Sequence, residues 1–267
     1  MSEPTADYTR EDRDGVAIIT FTRPHKLNAI TREMRVAISD AVNDVRDTRD
    51  LRVLLIKSTG RYFTAGVDIT TTTMANPDRQ AAKDITEYRR DYRRPMHLVH
   101  DEMEELEKPV VMAIQGVCLG LGVELAGSAD FRLATPNARF GLPEIDLGVI
   151  AGSGGTSRFT RLCGIGWSKW LSVAGEQIDA QTAMMAGFVQ AIYPEETFEA
   201  DVWAFCQKLQ TRPAEVQGSA KMAIELCYDL DRNSGRRIER LVNTPLAMRD
   251  NSALVAKVMN RNKKPAS

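Results

Sequence analysis

The alternation of short apolar runs with segments of helical periodicity is the feature that most constrains the fold of this chain. Four mainly apolar runs predict buried strands: residues 16–21 (VAIITF), 53–56 (VLLI), 110–114 (VVMAI) and 131–134 (FRLA). Between the first two runs, Thr31 is a predicted N-cap, and apolar residues recur at helical spacing from Met34 to Val45. Parallel strands need long crossover connections, usually helices, so this alternation predicts an α/β fold with parallel pairing.

The C-terminal part of the chain has a different pattern. Strand signals stop after residue 195, and residues 196–209, 214–230 and 252–261 place apolar residues at spacings of three and four, which predicts helices. The sequence therefore predicts an α/β domain over residues 1–195 and a helical region over residues 196–267. Residues 77–107 are highly charged and are also predicted to be helical, with an interruption near Pro95. Their basic and acidic runs are expected to form ion pairs within this segment.

Composition excludes several classes of protein. The 267 residues are 43% hydrophobic and 27% charged, and the net charge of -1 gives no reason to expect nucleic acid as a partner. The polar, acidic start is unlike a secretory signal or a transit peptide, and no stretch approaches the ~20 apolar residues that span a bilayer. The four cysteines are scattered without metal-ligand spacing. We therefore expect a cytoplasmic protein with reduced thiols, no bound metal and no membrane partner.

One glycine-rich segment carries a single charge that folding alone explains poorly. Residues 115–126 (QGVCLGLGVELA) contain three glycines and one charged residue, Glu124. A helix that begins near Leu121 would present free N–H groups to negative charge, and Glu124 would project from apolar surroundings within its first turn. Burial raises the pKa of a carboxyl group, which suits general acid–base chemistry. The alternative is a glutamate that completes a helix-capping arrangement.

Two further segments combine glycine with acidic residues. In residues 63–68 (FTAGVD) a strand runs into a tight loop, in which the N–H of Val67 is placed to face a cleft. Asp68 ends this loop, and a structural role in capping the turn is expected for it. In the third segment Glu144 follows a proline, a combination that often opens a helix. The glycines at 152, 154 and 155 lack the lysine of a P-loop, which excludes nucleotide phosphate binding by that route.

Together and in this order, these motifs resemble those of the crotonase family of enoyl-CoA hydratases and isomerases. Residues 23–30 (RPHKLNAI) resemble the family signature RPxxxNAL, and FTAGVD matches its FxAGxD loop. GVCLGLGVELA resembles the glycine-rich turn that ends in ELA, and FGLPEIDLGVIAGSGGTSR resembles the block that begins FGxPE and ends GGxxR. The similarity covers residues 10–195 and is weaker in the C-terminal helices.

The resemblance implies a spiral of ββα turns followed by a C-terminal helical trimerisation region. Residues 1–195 would then be the acyl-CoA-binding catalytic domain and residues 196–267 the oligomerisation region, in a homotrimer or a hexamer of two trimers. It also implies that an enolate formed at the thioester carbonyl is held by two backbone N–H groups, those of Val67 and Leu121. Leu121 replaces a glycine of the family motif, so its side chain must point away from the thioester. No cofactor is implied, because coenzyme A is part of the substrate.

The acidic residues separate the reactions of the family. Hydratases carry a glutamate in each of two motifs, and both are present here as Glu124 and Glu144. Simple isomerases usually keep only the second glutamate. Dienoyl isomerases carry an aspartate at the first position and another eight residues beyond the second, where this chain has Gly152. The resemblance therefore implies hydration of a 2-enoyl-CoA to a 3-hydroxyacyl-CoA, with Glu124 and Glu144 as catalytic residues.

The resemblance also assigns the substrate contacts. Five residues of the matched motifs are implied to bind the substrate: Lys26, Ala65, Asp68, Gly120 and Gly152. The variable segment over residues 70–108 is implied to form the acyl pocket, with Tyr88, Tyr92, Met96 and Leu98 in its wall.

Two alternatives to hydration stay open. Other members of the family isomerise, hydrolyse, decarboxylate or cleave an acyl-CoA by a retro-aldol reaction, and all share the oxyanion hole. Some relatives bind RNA instead, which the near-neutral charge of this chain disfavours.

Overall fold

The computed structural model describes residues 6–71 and 97–261 of the chain. The chain divides into two compact units, Met1–Arg212 and Pro213–Ser267. Each unit has its own architecture, and the motifs with acidic residues all lie in the first.

Two sheets form the framework of the first unit, and their strands are numbered together in chain order. The larger sheet contains β1 (Tyr8–Arg13), β2 (Val16–Phe21), β3 (Val53–Ser58), β5 (Val110–Ile114), β7 (Phe131–Ala134) and β10 (Ala191–Ile192), in that spatial order. The smaller sheet contains β4 (Tyr62–Thr64), β6 (Val117–Leu119), β8 (Arg139–Gly141) and β9 (Gln177–Asp179). Neighbouring strands are parallel except in the pairs β1–β2 and β8–β9.

The helices of the first unit follow the strands at regular intervals. They are α1 (Arg32–Asp47), α2 (Leu98–Glu105), α3 (Leu121–Gly127), α4 (Gly155–Ser172), α5 (Ala180–Met185) and α6 (Phe198–Gln210). Three-residue or longer 3₁₀ turns occupy Pro24–Lys26, Ile69–Thr71 and Pro143–Leu147. A strand of the larger sheet, a strand of the smaller sheet and a helix recur in sequence, as in β5–β6–α3. This is the spiral of ββα turns, and the predicted fold class is confirmed.

Strands β2, β3 and β5 of the larger sheet are buried on both faces, which explains their mainly apolar sequences, whereas the edge strand β1 is mostly exposed. Alternate residues of β2 belong to two different cores: Ala17 and Ile19 to one, Val16 and Ile18 to the other. Strand β3 divides in the same way. Helix α6 covers the second core with Phe198 and other apolar side chains, so it belongs to the sheet rather than to the C-terminal unit.

Helix α1 and strands β2, β3, β5 and β7 agree with their predictions, whereas β1, α4 and the strands of the smaller sheet were not predicted. Thr31 caps α1, with its hydroxyl accepting a hydrogen bond from the Met34 amide at 3.3 Å. The strands of the smaller sheet are three residues long, too short to carry a period-two signal. Of the helix predicted over residues 77–107, residues 77–96 lie outside the described residues, and Leu98–Glu105 is helical.

The second unit consists of the helices α7 (Ala214–Asp229), α8 (Arg232–Met248) and α9 (Ser252–Arg261). Helix α8 was not predicted; Asp231 caps it by accepting from the amides of Asn233 and Ser234. In the part of the chain that the structure describes, no helix is long and apolar enough to cross a membrane. The predicted functional boundary at residues 195 and 196 precedes α6, whereas the compact units meet after Arg212. The roles of residues 1–195 and 196–267 stay predictions.

Candidate active site

Three segments with candidate residues meet at one edge of the smaller sheet. Strands β4, β6 and β8 are parallel neighbours. They are followed by the loop over residues 65–68, the Gly120–Leu121 turn and the 3₁₀ helix Pro143–Leu147. Because the carboxyl ends of parallel strands lie at the same edge, these three segments are brought together, as ligand-binding loops are in other α/β sheets.

In the loop after β4, one amide N–H points away from the neighbouring segment at Ile30. Gly66 has φ 98°, and its carbonyl accepts a hydrogen bond from the Ile30 amide at 2.8 Å, while the Asp68 amide donates to the Ile30 carbonyl at 3.0 Å. Since successive N–H groups of an extended segment point to opposite sides, the Val67 N–H faces away from Ile30. It has no hydrogen-bond acceptor among residues 6–71 and 97–261.

The turn after β6 presents a second unused amide close to the first loop. Gly120 has φ 53° and ψ -122°, and its N–H donates to the Gly141 carbonyl at 2.9 Å. Leu121 begins α3, so its N–H has no partner within the helix, and none elsewhere in the described residues. A Cβ placed on Gly66 would lie 3.5 Å from the Leu121 nitrogen. The Leu121 side chain is buried in the core, so the leucine leaves this edge open.

Glu124 projects from α3 into a buried position where one of its oxygens is fixed. The residue is 4% exposed, and Oε1 accepts hydrogen bonds from the amides of Ser153 at 2.6 Å and Gly155 at 3.1 Å. Oε2 has no hydrogen-bond partner within the described part of the chain. Burial raises the pKa of Glu124, and the two amides offset part of that rise by stabilising the ionised form.

Glu144, from the 3₁₀ helix, approaches the same turn. Its Oε1 lies 2.9 Å from the position that a Cβ on Gly120 would occupy. Its Oε2 is buried and, among the described residues, has no hydrogen-bond partner. Burial and then the negative charge of Glu124 raise the pKa of Glu144 to about 7. Two carboxyl groups with raised pKa values therefore lie beside two unused amides, and the charge of Glu124 acts on Glu144, which is an arrangement suited to proton transfer.

Four more residues are predicted to bind the substrate: Gly120, Gly152, Ala65 and Lys26. Gly120 belongs to the turn that Glu144 approaches, and Gly152 is an exposed neighbour of Ser153. Ala65 precedes Gly66 and donates its amide to the Leu27 carbonyl at 2.9 Å. Lys26 lies exposed in the 3₁₀ turn before Leu27. Their substrate contacts stay predictions.

Asp68 has the geometry of a residue that closes a loop. Its carboxylate accepts from Arg23 at 3.0 Å and from the amide and hydroxyl of Thr70 at 3.1 and 2.6 Å. Its side chain is thus engaged in the way the expected structural role requires. Any contact of Asp68 with a substrate stays a prediction.

Sequence reasoning missed the residues that hold these segments in place. Asn28 is buried with φ 51°, and its Nδ2 donates to the carbonyls of Thr59 at 2.7 Å and Tyr62 at 2.8 Å, which fixes the connection into β4. Arg132 is 3% exposed and donates to the Ala126 carbonyl at 2.9 Å, which stabilises the C-terminal end of the helix that carries Glu124. The signal for Arg132 was its isolation in the apolar run FRLA.

Residues 6–71 and 97–261 contain no cluster of three or more His, Cys, Asp or Glu side chains that could hold a metal ion.

Comparison with known proteins identifies the family. The model of the enoyl-CoA hydratase/isomerase family matches residues 11–253. Crotonyl-CoA hydratase of Syntrophomonas wolfei subsp. wolfei is 36% identical over 188 residues, 70% of this chain and 69% of the relative. The 2,3-dehydroadipyl-CoA hydratase of Escherichia coli K12 is 30% identical over 233 residues, 87% of each chain. The crystal structure of enoyl-CoA hydratase from Thermoplasma volcanium has a TM-score of 0.81 at 29% identity, with 99% of this chain and 100% of that chain covered.

The fold and the paired carboxyl groups define an α/β enzyme of the crotonase type. The chain belongs to the enoyl-CoA hydratase/isomerase family, which confirms the resemblance of its motifs. It is an enzyme of the hydratase type.

Proposed function

We propose that this protein adds water across the double bond of a 2-enoyl-CoA thioester to give a 3-hydroxyacyl-CoA. The observation that carries the proposal is the pair Glu124 and Glu144, both with raised pKa values, at the same sheet edge as the unused amides of Val67 and Leu121. The names of the two relatives, both hydratases of enoyl-CoA thioesters, support the same reaction.

In the proposed mechanism the two amides stabilise the charge that develops on the thioester oxygen. As water adds to C3, the electrons of the double bond move to the carbonyl and an enolate forms. The N–H groups of Val67 and Leu121 donate to its oxygen and need no reorganisation, because no protein acceptor competes for them in the described residues. Loss of one such donor typically raises a barrier by about 3 kcal/mol.

The environments of the two glutamates assign them opposite roles. The amides of Ser153 and Gly155 favour the ionised form of Glu124, so its carboxylate takes a proton from the attacking water. Burial and the charge of Glu124 raise the pKa of Glu144 to about 7. Glu144 is therefore partly protonated near pH 7, and its protonated form delivers a proton to C2. The product gains one oxygen and two hydrogens, and the proton on Glu124 must return to Glu144 before the next turnover.

A direct assay tests the proposal. Mixing the protein with crotonyl-CoA should remove the absorbance of the conjugated thioester, and the product should be heavier than the substrate by the mass of one water. A product of unchanged mass would instead indicate isomerisation. Absence of any reaction across a panel of short, long and branched enoyl-CoA substrates would contradict the proposed function.

We expect a bell-shaped dependence of kcat/KM on pH. The alkaline limb should lie near pH 7, since protonated Glu144 is required and the pKa of Glu144 is about 7. The acidic limb should lie above the ordinary glutamate range, because Glu124 must be ionised and burial raises its pKa. Initial rates from about pH 5 to about pH 9 measure both limbs. A rate that stays constant well above pH 7 would exclude Glu144 as the acid.

The variable segment over residues 70–108 is proposed to form the acyl pocket. Residues 72–96, with Tyr88, Tyr92 and Met96, lie outside the described residues, whereas Leu98 is half-buried at the start of α2. The proposed compartment is the cytoplasm, and the proposed reaction uses no cofactor beyond the coenzyme A of its substrate.

The protein is also proposed to assemble as a homotrimer or as a hexamer of two trimers. The helices of the second unit carry many apolar side chains that are exposed in the single chain, among them Ile224, Leu241 and Met248. Exposed apolar surface of this extent usually marks an interface. Sedimentation should give three or six times the mass of the chain, and Leu241→Asp should weaken the assembly. Asn243→Asp adds the same charge to the same helix at an exposed polar position and should leave it intact; a monomeric wild type would contradict the proposal.

A further inference from the structure

Arg158, on α4, connects two parts of the first unit that are distant in sequence. Its Nη2 donates to Asp101 at 2.5 Å and to Glu104 at 2.7 Å, both on α2. Its Nη1 donates to the Ser153 carbonyl at 3.4 Å, and its backbone N–H donates to the Gly154 carbonyl at 2.7 Å. The guanidinium therefore joins helix α2 to the loop in front of α4.

The fold provides a fitted space for this side chain. A Cβ on Gly154 would lie 2.1 Å from Arg158 Nη1, and one on Gly127 would lie 3.3 Å from Arg158 Cβ. Both glycines thus make room for the arginine, which crosses the loop backbone with a side chain only 14% exposed. An arginine that was merely solvated on a helix surface would need neither glycine.

The loop that Arg158 contacts is the one that holds the carboxylate of Glu124. The amides of Ser153 and Gly155 donate to Glu124 Oε1, and Arg158 contacts the Ser153 carbonyl between them. The positive charge of Arg158 also reaches Glu124, where it lowers the pKa that burial raises.

We propose that Arg158 is a positioning residue for Glu124: it fixes the Ser153–Gly155 amides against helix α2, so that one carboxylate oxygen stays bound and the other is free to act on water. The role in hydration rests on the proposed function, whereas the effect on the Glu124 carboxylate does not.

Several charged groups surround this bridge and must be considered in any titration. Around Arg158 lie Asp101 and Glu104 from α2, with His97 before that helix and Arg161 on α4 lining the same surface cavity of about 310 Å³. Around Glu124 the charges are Arg158 from α4 and Glu144 from the 3₁₀ helix. Of these, Arg158 is the one whose charge favours ionised Glu124.

Two replacements of Arg158 separate the effect of its hydrogen bonds from the effect of its positive charge. Arg158→Gln should lower kcat roughly 10- to 100-fold, with a smaller change in KM, and should move the acidic limb of the pH profile upward. Arg158→Lys keeps the charge but lacks the planar fork, so kcat should fall while the acidic limb stays near its wild-type position. Arg46→Gln, an exposed arginine on α1 that donates to Asn43, is the control and should change neither.

The double variant Asp101→Asn, Glu104→Gln tests the other end of the bridge. Both side chains are partly exposed, so folding should be retained, and Arg158 itself is unchanged. We expect kcat to fall without an upward shift of the acidic limb. If this variant has the kcat of the wild type, the proposal that α2 anchors the Ser153–Gly155 loop through Arg158 is wrong.

A titration without substrate distinguishes failure of this proposal from failure of the proposed function. The carboxyl carbon of Glu124, followed by NMR, should titrate at higher pH in Arg158→Gln than in the wild type, whatever reaction the enzyme catalyses. An unchanged titration, or a folded Arg158→Gln enzyme with wild-type kcat and pH profile, would overturn the positioning role. A wild type that titrates as expected but hydrates no enoyl-CoA would overturn only the proposed function.

Discussion

Replacing either Glu124 or Glu144 with glutamine should lower kcat for hydration by a factor of roughly 10² to 10⁴. Glutamine keeps the size of the side chain but can neither accept the proton of the water nor protonate C2. Both variants should still bind the thioester, because the amides of Val67 and Leu121 are untouched. The expected pattern is therefore a large loss in kcat with a modest change in KM, measured from the decay of the conjugated absorbance.

Asp146→Asn is the matched control for these variants. Asp146 lies two residues beyond Glu144 in the same 3₁₀ helix and is exposed, so removal of its charge should leave the rate close to that of the wild type. Wild-type rates in both glutamine variants would exclude the two-carboxylate mechanism. Equal losses in Asp146→Asn and Glu144→Gln would point to damage of the helix rather than to loss of a proton donor.

Glu144→Gln should lower activity, but at alkaline pH it should not lower the stability of the fold. The folded-state pKa of Glu144, about 7, lies above the ordinary value of 4.5, so the folded protein binds more protons than the unfolded chain between these values. The stability of the wild type therefore falls as pH rises through this window, and the glutamine variant is spared that loss. Circular dichroism melts at alkaline pH should show a variant that is at least as stable as the wild type, which also verifies that it is folded.

The sequence predicted the candidate site where a residue was poorly matched to its surroundings. Glu124 was the only charge in a glycine-rich apolar segment, and the structure places it in a buried position with a raised pKa. Strands β2, β3 and β5 were predictable because they are buried on both faces and are long enough to show it, whereas the exposed strand β1 and the two-residue β10 were not. The direction of the Leu121 side chain followed from the need to keep its N–H accessible, and it does lie in the core.

The partners of these residues could not be predicted, because they depend on contacts between distant segments. Ser153 and Gly155 bind Glu124 through backbone amides, which any residue other than proline carries, so their glycine-rich segment indicated only a loop. The acidic residues of α2 were expected to pair within the charged segment over residues 77–107. Among the described residues, Asp101 and Glu104 pair with Arg158, more than 50 residues away, whereas residues 77–96 of that segment lie outside the described residues.

Gly155→Ala should lower kcat by about 10- to 100-fold, although it leaves every acidic residue in place. A Cβ at this position would lie 2.6 Å from Ala151 Cβ, 2.9 Å from Glu124 Cγ and 3.1 Å from Glu124 Oε1, so the carboxylate or the loop must shift. The displacement breaks the bond from the Gly155 amide and lets the pKa of Glu124 rise further. Overpacking of this kind also destabilises a fold by about 1–3 kcal/mol.

Gly166→Ala lies in the part of α4 after the break at Gly164, which has φ 81° and ψ 167°, and separates this steric effect from the general effect of alanine in a helix. A Cβ on Gly166 meets nothing within 4 Å, so the control should keep wild-type activity and gain up to about 1 kcal/mol of stability from the better helix former. Urea unfolding and steady-state rates on the two variants make the comparison. If Gly155→Ala folds and hydrates crotonyl-CoA at the wild-type rate, the close packing of Glu124 against this loop has no part in catalysis, and a base held by the Ser153 and Gly155 amides is the wrong description of Glu124.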